Sequence, residues 1–490
     1  MVKYSCERCG KEFSQKSHYD SHNRRKRACE NNADKIKTLV DKAIEEKLKG
    51  LNNKKLIIKN EEENVNRDIM KKKENEIKEI KYIDLCSGIG GFRIALESIN
   101  NVDSRCVLSA DIKQDAIDTY NLNFDENNKI TDIYTLKNEE IKPFDLLCAG
   151  FPCQPFSSAG QKKGFSDKRG GMIFKIIDIC EYHKPKFVVL ENVYNLMTLE
   201  KGNCIKKIKK LFEDIGYSVN YKKLNSCNFG CAQSRERVYI VCTKDGIFNF
   251  DDIKYKPKVN LNSIIDYEDK DTKINSTFSK KILQLHKETP IFGCKIGDKR
   301  GGKNNIHSWD IGYSGTLNKD EKELINKIML NRRKKHWAEE KKIVWMDGIP
   351  LTYEDITTFY KHDNLKNMLN NLVSMKYLRI EKPKDLIDGK RKYKEELSEG
   401  YNICKGKLSF PISKILDPND ISPTLTATDS HKLAVIINDN TIRNLSSTEM
   451  KKICGFPDTF VVPEHVNYGD LFGNMATPPV IKAIFELLLK

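Results

Sequence analysis

The sequence predicts an α/β fold, and three observations carry that expectation. Short apolar runs at residues 82–86, 105–109, 145–150, 187–190 and 238–241 read as buried strands and alternate with helical segments. The first run passes through a glycine-rich turn directly into a helix, as nucleotide-binding units begin. Ahead of these, Cys6, Cys9 and His22 are spaced as ligands of a small ββα unit.

A chain of 490 residues accommodates two or three domains. Hydrophobic residues (39%) suffice for a core, while 31% charged residues imply long solvated faces. The net charge of +16 favours a polyanionic partner, most simply nucleic acid. Lys, Asn and Ile are all abundant, so an AT-rich coding bias contributes to that charge. Fifteen scattered cysteines form no disulfide-like framework. No secretory leader precedes them, and no apolar run approaches the ~18 residues that cross a membrane. A soluble intracellular protein is expected, in cytoplasm or in nucleus or nucleoid; the oligomeric state is left open by the sequence, with a monomer the expectation.

Residues 1–30 form the first expected unit. Twelve residues separate Cys9 from His22 and six more lead to Cys29, with Phe13 and Tyr19 at the two core positions of a zinc finger. Cys29 takes the place of a second histidine as fourth ligand, and zinc would supply the folding free energy. This resembles single C2H2-type fingers of the Cys-Cys-His-Cys variety. On that frame Gln15, His18 and Ser21 face bases and 24–27 meet phosphates, although a protein partner fits equally. Residues 31–79 read as an amphipathic helix (Ile36, Leu39, Val40, Ala43, Ile44, Leu48) followed by a charged linker.

The catalytic unit is expected over 80–250. Its first strand carries Asp84 and Cys86, and Ser87, Gly88 and Gly90 form the turn, where glycines let a ligand approach the backbone. The second strand ends in Asp111-Ile112, an acid suited to ribose hydroxyls. Asp132, before Ile133, closes an expected third strand and is suited to an adenine amino group. The next strand delivers Gly150-Phe151-Pro152-Cys153-Gln154-Pro155-Phe156-Ser157, a loop stiffened by two prolines that presents one thiol. By itself this loop fits a nucleophile and a small buried filler equally. Glu191-Asn192-Val193 ends a further strand, and Gln233-Ser234-Arg235-Glu236-Arg237 enters another. Alternation along that strand would point the Arg235 and Arg237 guanidiniums the same way.

Taken with Ser422-Pro423-Thr424-Leu425-Thr426-Ala427, Gly455-Phe456-Pro457-Asp458 and Gly473-Asn474, these blocks resemble the DNA (cytosine-5) methyltransferases in order and spacing. The resemblance covers about 80–250 and 415–490. It implies a Rossmann-like methyltransferase sheet, S-adenosylmethionine as methyl donor, and duplex DNA as substrate with the target base flipped out. It further implies Cys153 as nucleophile at cytosine C6 and Glu191 as the acid at N3. Arg235 and Arg237 would hold Glu191 and the base, and Pro152 would stiffen the loop. Cofactor contacts would come from Asp84, Cys86, Ser87, Gly88, Gly90, Asp111, Ile112, Asp132, Ile133 and Asn474. The sequence departs from the family at Asp111 (usually Glu), Ile112 (often aromatic), Cys86 (usually Phe) and Met475-Ala476 (usually Ser-Val).

Residues 251–414 match no family block and are expected to form a mostly irregular target-recognition domain. Helical periodicity at 353–360 and 365–377, then 379–394 with a turn at Asp388-Gly389, suggests a small winged-helix-like piece. Residues 415–490 return to the catalytic unit, so the sheet would be built from both ends of the chain. Two rival readings are a tRNA cytosine methyltransferase, whose characteristic Cys-Phe-Thr segment is missing here, and a non-catalytic DNA-binding protein, which intact catalytic blocks oppose.

Overall fold

The computed structural model describes residues 3–25, 37, 42, 78–151, 171–269, 272–298, 302, 304–344, 348–387, 389–404 and 410–490. Cys29, the helix expected at 36–48, the linker after it, and Pro152 and Cys153 lie outside the described residues. Two compact units form, Met1–Lys78 and Glu79–Lys490.

In the first unit, β1 (Tyr4–Ser5) and β2 (Glu12–Phe13) pair antiparallel, with Tyr4 opposite Phe13, and α1 spans Lys16–Asn23. Gly10 makes the connecting turn at φ 72°, a left-handed conformation that suits glycine. The Tyr19 ring stacks on Tyr4 at 5.9 Å and meets Phe13 edge-on at 6.2 Å. Among the unit's described residues only Cys6 is buried. So small a core contributes little packing energy to the unit.

The second unit is built on a six-stranded sheet. Its elements in chain order are β3 (Lys78–Leu85), α2 (Gly91–Glu97), β4 (Val102–Ala110), α3 (Gln114–Phe124) and β5 (Leu146–Gly150). Then come α4 (Gly171–His183), β6 (Phe187–Val193), α5 (Asn203–Asp214), β7 (Ser218–Asn225) and β8 (Glu236–Thr243). The strand order is β4-β3-β5-β6-β8-β7, with β5 parallel to both β3 and β6, and β8 antiparallel to β6 and β7. Strands covered on both faces should read as unbroken apolar runs, and Leu146-Leu147-Cys148-Ala149 does. One face packs Ile83, Leu147 and Val188 under Ile176 and Phe212; the other packs Tyr82, Leu146 and Val189 under Phe92 and Leu96.

The expected third strand at Asp132 is not formed. Asp132 accepts from the Tyr134 amide at 3.0 Å and caps a 3-10 turn over Ile133–Thr135. An aspartate that bonds its own backbone two residues on favours a turn over a strand.

The return of the chain also differs in kind from the expectation. Every strand of the central sheet comes from 78–243; the C-terminal segment contributes a covering layer instead. The helix Pro478–Leu488 opens with proline in its first turn, which needs no amide there. It lays Val480, Ile481, Ile484 and Phe485 against Phe92, Ala95 and Leu96. Each such side chain contributes about 1.5–3 kcal/mol on burial. The join is close: a Cβ on Gly91 would sit 2.2 Å from the Ala476 carbonyl oxygen.

The region expected to be mostly irregular has regular structure. Helices Thr277–Glu288, Lys319–Asn331 and Leu365–Ser374 are each long enough to bury an apolar stripe. Trp309, Leu324, Ile328, Leu369 and Leu372 belong to a core separate from that of the catalytic sheet. A second, five-stranded sheet joins β9 (Lys295–Ile296) and β10 (Asn305–Ile306) to strands at 414–415, 433–438 and 441–444. Helices Tyr353–Thr357 and Leu365–Ser374 precede β11 (Leu378–Glu381), β12 (Lys384–Ile387), β13 (Lys390–Tyr393) and β14 (Gly400–Ile403), in the helix-helix-hairpin succession the periodicity suggests.

Candidate active site

Three neighbouring strands converge at their carboxyl ends. In register Gly150 lies beside Glu191, and a Cβ on Gly150 would lie 3.8 Å from Glu191 Oε2 and 3.9 Å from the Cys86 carbonyl oxygen. Asn192, next to Glu191, turns back and donates its Nδ2 to the Phe151 carbonyl at 3.2 Å. This bond holds the chain just before Pro152. The sequence does not signal it, because there Asn192 is only the neighbour of an acid.

Glu191 is buried, and Arg237 Nε approaches its Oε1 at 2.9 Å as an ion pair. Burial raises the Glu191 pKa above its ordinary value, against the lowering pull of Arg237 and then Arg235. A carboxyl held this way retains its proton to higher pH than a free one.

Arg235 is placed otherwise than alternation suggests. The strand begins at Glu236, so Arg235 belongs to the approach, and its guanidinium donates to three main-chain carbonyls. These are Leu425 at 3.2 Å, Gly473 at 3.1 Å and Met475 at 2.7 Å. Burial, with help from the Arg237 charge, presses its pKa down to about 10, still well above neutrality. Arg235 therefore fastens the C-terminal return to the foot of β8. The ion pair with Glu191 is made by Arg237.

The turn after β3 has a backbone few side chains permit. Cys86, Gly88 and Gly90 take φ of 55°, 53° and 82°, and a Cβ on Gly90 would lie 2.3 Å from the Phe124 ring. A non-glycine residue at such φ marks stored strain, which collects at functional turns. The Ser87 amide donates to the Ala110 carbonyl at 3.1 Å, and the Gly88 amide to Asp111 Oδ2 at 2.8 Å. The Lys113 amide donates to Asp111 Oδ1 at 2.9 Å. Each Asp111 oxygen keeps an accepting lone pair for a further donor. Beside it Ile112 is 63% exposed, an apolar side chain with little protein cover.

Asn474 donates to the Asp470 carbonyl and carboxylate at 2.9 and 2.8 Å, and Lys113 Nζ pairs with that same carboxylate at 2.8 Å. Asn474 thus joins the rim that carries Asp111. Ile133 is buried in the core beneath, whereas Asp132 is exposed. The Cys86 thiol lies 3.3 Å from the Met172 sulfur, and burial raises its pKa.

Asp84 does not reach this surface. It has no exposed area, and like Tyr82 it projects to the α2 side of β3, away from Ile83 and Leu85. Neither carboxylate oxygen has a hydrogen-bond partner among the described residues. Burial, reinforced by Asp111 and opposed by Arg93, pushes its pKa well up. Asp84 thus lies buried beneath the glycine turn, where direct contact with a cofactor would require its carboxyl to be uncovered.

In the N-terminal unit, the ligand atoms of Cys6, Cys9 and His22 lie within 4.8 Å of one another, with Cys9 Sγ 3.3 Å from His22 Nε2. No described helix is long and apolar enough to cross a membrane.

Comparison with known proteins agrees with this geometry. A family model described as C-5 cytosine-specific DNA methylase matches residues 80–490. The chain is 41% identical over 427 residues to Type II methyltransferase M.NlaIV of Neisseria lactamica, covering 84% of this chain and 99% of that one. It is 40% identical over 427 residues to M.NgoBV of Neisseria gonorrhoeae, with the same coverage, and 36% identical over 445 residues to M.BanI of Aneurinibacillus aneurinilyticus, covering 84% and 96%. With Glu191, Arg237 and the strained glycine turn at the strand ends, the chain belongs to the C-5 cytosine-specific DNA methylase family.

Proposed function

We propose that the protein is a modification methyltransferase that transfers a methyl group from S-adenosylmethionine to C5 of a flipped cytosine in specific duplex DNA. The observation that carries this reading is the buried Glu191–Arg237 pair beside Gly150, from which the chain runs through Phe151 toward Cys153. Cytosine C5 is a poor nucleophile. Addition of the Cys153 thiolate to C6, with a proton from Glu191 to N3, makes the ring an enamine that is nucleophilic at C5. Arg237 steadies the acid and offsets charge developing on the ring. After methylation the C5 proton leaves, and elimination restores the C5–C6 double bond and frees the Cys153 thiolate.

The turn fits the cofactor. The Asp111 carboxylate, held by two amides, can accept from ribose hydroxyls, and exposed Ile112 can cover one face of an adenine. Exposed Asp132 is suited to the adenine amino group, and Asn474 completes the rim. When bound, S-adenosylmethionine supplies an electrophilic methyl group.

The adduct is the direct test. Incubated with cofactor and mixed-sequence duplexes containing 5-fluorocytosine, the protein is expected to form a denaturation-resistant complex whose crosslinked peptide contains Cys153. Cys153→Ala is expected to abolish the complex and tritiated methyl transfer alike. Absence of any adduct with the wild-type protein would sink the covalent route.

The first unit is read as a zinc finger, with Cys29 as fourth ligand. Three soft or imidazole donors gathered on a hairpin and helix are a donor set that suits zinc. One zinc per chain is expected by metal analysis. Removing it with a chelator should shift Cys6 and Cys9 from slow to rapid alkylation, and equal alkylation rates with and without zinc would exclude the site.

A further inference from the structure

We propose that the hairpin formed by β12 (Lys384–Ile387) and β13 (Lys390–Tyr393), after β11 (Leu378–Glu381), is a DNA-backbone clamp, a wing that grips the duplex at a recess at its base. The proposal rests on the reading of duplex DNA as substrate and adds the residues that would hold it away from the target base.

The hairpin is a separate two-stranded sheet, pairing Lys384 with Tyr393 and Ile387 with Lys390. Two strands without a neighbour are marginal in water. Yet Leu386, Ile387 and Tyr393 are 50%, 37% and 46% exposed, so the ribbon stands out from the core instead of lying on it. Its base is anchored by Asp385, which accepts from the Val344 and Leu386 amides at 2.9 and 2.8 Å. The ribbon is thus held firmly at its root and offered to solvent along its length.

The charges along it are arranged to meet an anion. At the root lies a cavity of about 90 Å³, room for a phosphate group, lined by Arg379, Lys382, Lys384 and Arg391 with one acid, Glu381. Two of these lining cations are already paired within the chain, which leaves Lys384 and Arg391 as the charges offered to the cavity. Glu381 pairs with Arg379 at 3.0 Å and accepts from Asn402 at 2.6 Å, and Glu395 pairs with Lys382 at 2.8 Å. Lys384 lies 4.4 Å over the Tyr393 ring, which orients its ammonium without neutralising it. Arg391 is cross-strand from Leu386 and Lys390 from Ile387, so neither has an acid opposite it. A surface lysine run on a solvated helix shows the contrasting pattern: on α5, Lys209 and Lys210 lie near Glu213 and Asp214 one turn on, at 3.5 and 3.1 Å. Lys384, Lys390 and Arg391 are left for a ligand outside the chain, and a polyphosphate backbone supplies the repeated charge.

The test is the salt dependence of duplex binding, read by anisotropy of a fluorescein-labelled mixed-sequence duplex of roughly three helical turns (~30 bp). Every phosphate that a variant no longer neutralises flattens the plot of log affinity against log salt by about 0.9. The variant Lys384→Ala/Lys390→Ala/Arg391→Ala is expected to flatten it by roughly 2–3 and to weaken binding about 10–100-fold near physiological salt. A matched control, Lys206→Ala/Lys207→Ala/Lys210→Ala on α5, removes the same charge and is expected to keep the wild-type slope. Equal slopes for wild type, hairpin variant and control would overturn the clamp while leaving methylation standing. A wild-type protein that neither binds nor methylates duplex DNA would overturn the functional reading and the clamp with it. Arg391→Glu alone provides a single-site check should the triple variant melt early.

Discussion

Glu191→Gln is expected to lower methyl transfer by about 10²–10⁴-fold, the range associated with losing a positioned general acid. Glutamine keeps the volume of the side chain and can still face Arg237, so the fold is expected to persist while proton supply to N3 is lost. The pH profile separates this from a packing defect. Burial raises the Glu191 pKa, so the acid form survives above the range where free glutamate ionises. Turnover should therefore fall as pH climbs through that raised value, where the carboxyl gives up the proton the mechanism needs. In Glu191→Gln the residual rate should lack this limb. An unchanged limb would assign the titration to another group and remove Glu191 from the acid's role.

Arg235→Ala is expected to cost roughly 3–5 kcal/mol of stability, for a reason unconnected with the reacting base. The substitution leaves three carbonyls, of Leu425, Gly473 and Met475, without their donor. Each buried group left unsatisfied costs about 1–3 kcal/mol. Arg235→Lys should recover only part of that stability, since an ammonium cannot reproduce the planar fork that reaches separate strands of backbone. The midpoint of urea unfolding measures both. Were Arg235→Lys to melt like wild type and lose only turnover, the fastening role would be the wrong description and contact with the base the right one.

Much of the site is legible in the sequence because its chemistry sits at strand ends. An apolar run that stops at a polar residue marks the approach of a strand end, so Asp111, just past β4, and Glu191, two residues before the end of β6, stand out. Asp84 is harder to place from the sequence. It also lies near a strand end, but the pleat turns it inward, and only its register against Cys148 shows which way it faces. Arg235 misleads because alternation applies inside a strand and the strand starts one residue later. Asp132 looks like a strand end and is a turn cap. Asn192, Lys113 and Ala476 act through contacts with distant segments, and pairings of that kind leave no periodic trace in a sequence. In 251–414 the helical periods at 353–360 and 365–377 are legible and correspond to the helices Tyr353–Thr357 and Leu365–Ser374, whereas the two-residue strands Lys295–Ile296 and Asn305–Ile306 are too brief to show a period.

The fit between Gly91 and Ala476 has a consequence for how the molecule comes into being. The Lys482 ammonium bonds the Ser98 carbonyl at 2.7 Å across 384 positions of chain. Until residues 478–488 have been made, Phe92 and Leu96 lack the cover of Val480, Ile481, Ile484 and Phe485 on the outer side of α2. Contacts so far apart in the chain close slowly. The central sheet, complete by residue 243, therefore waits uncapped on the ribosome while more than two hundred further residues are made, a period in which chaperones and other hydrophobic surfaces compete for it.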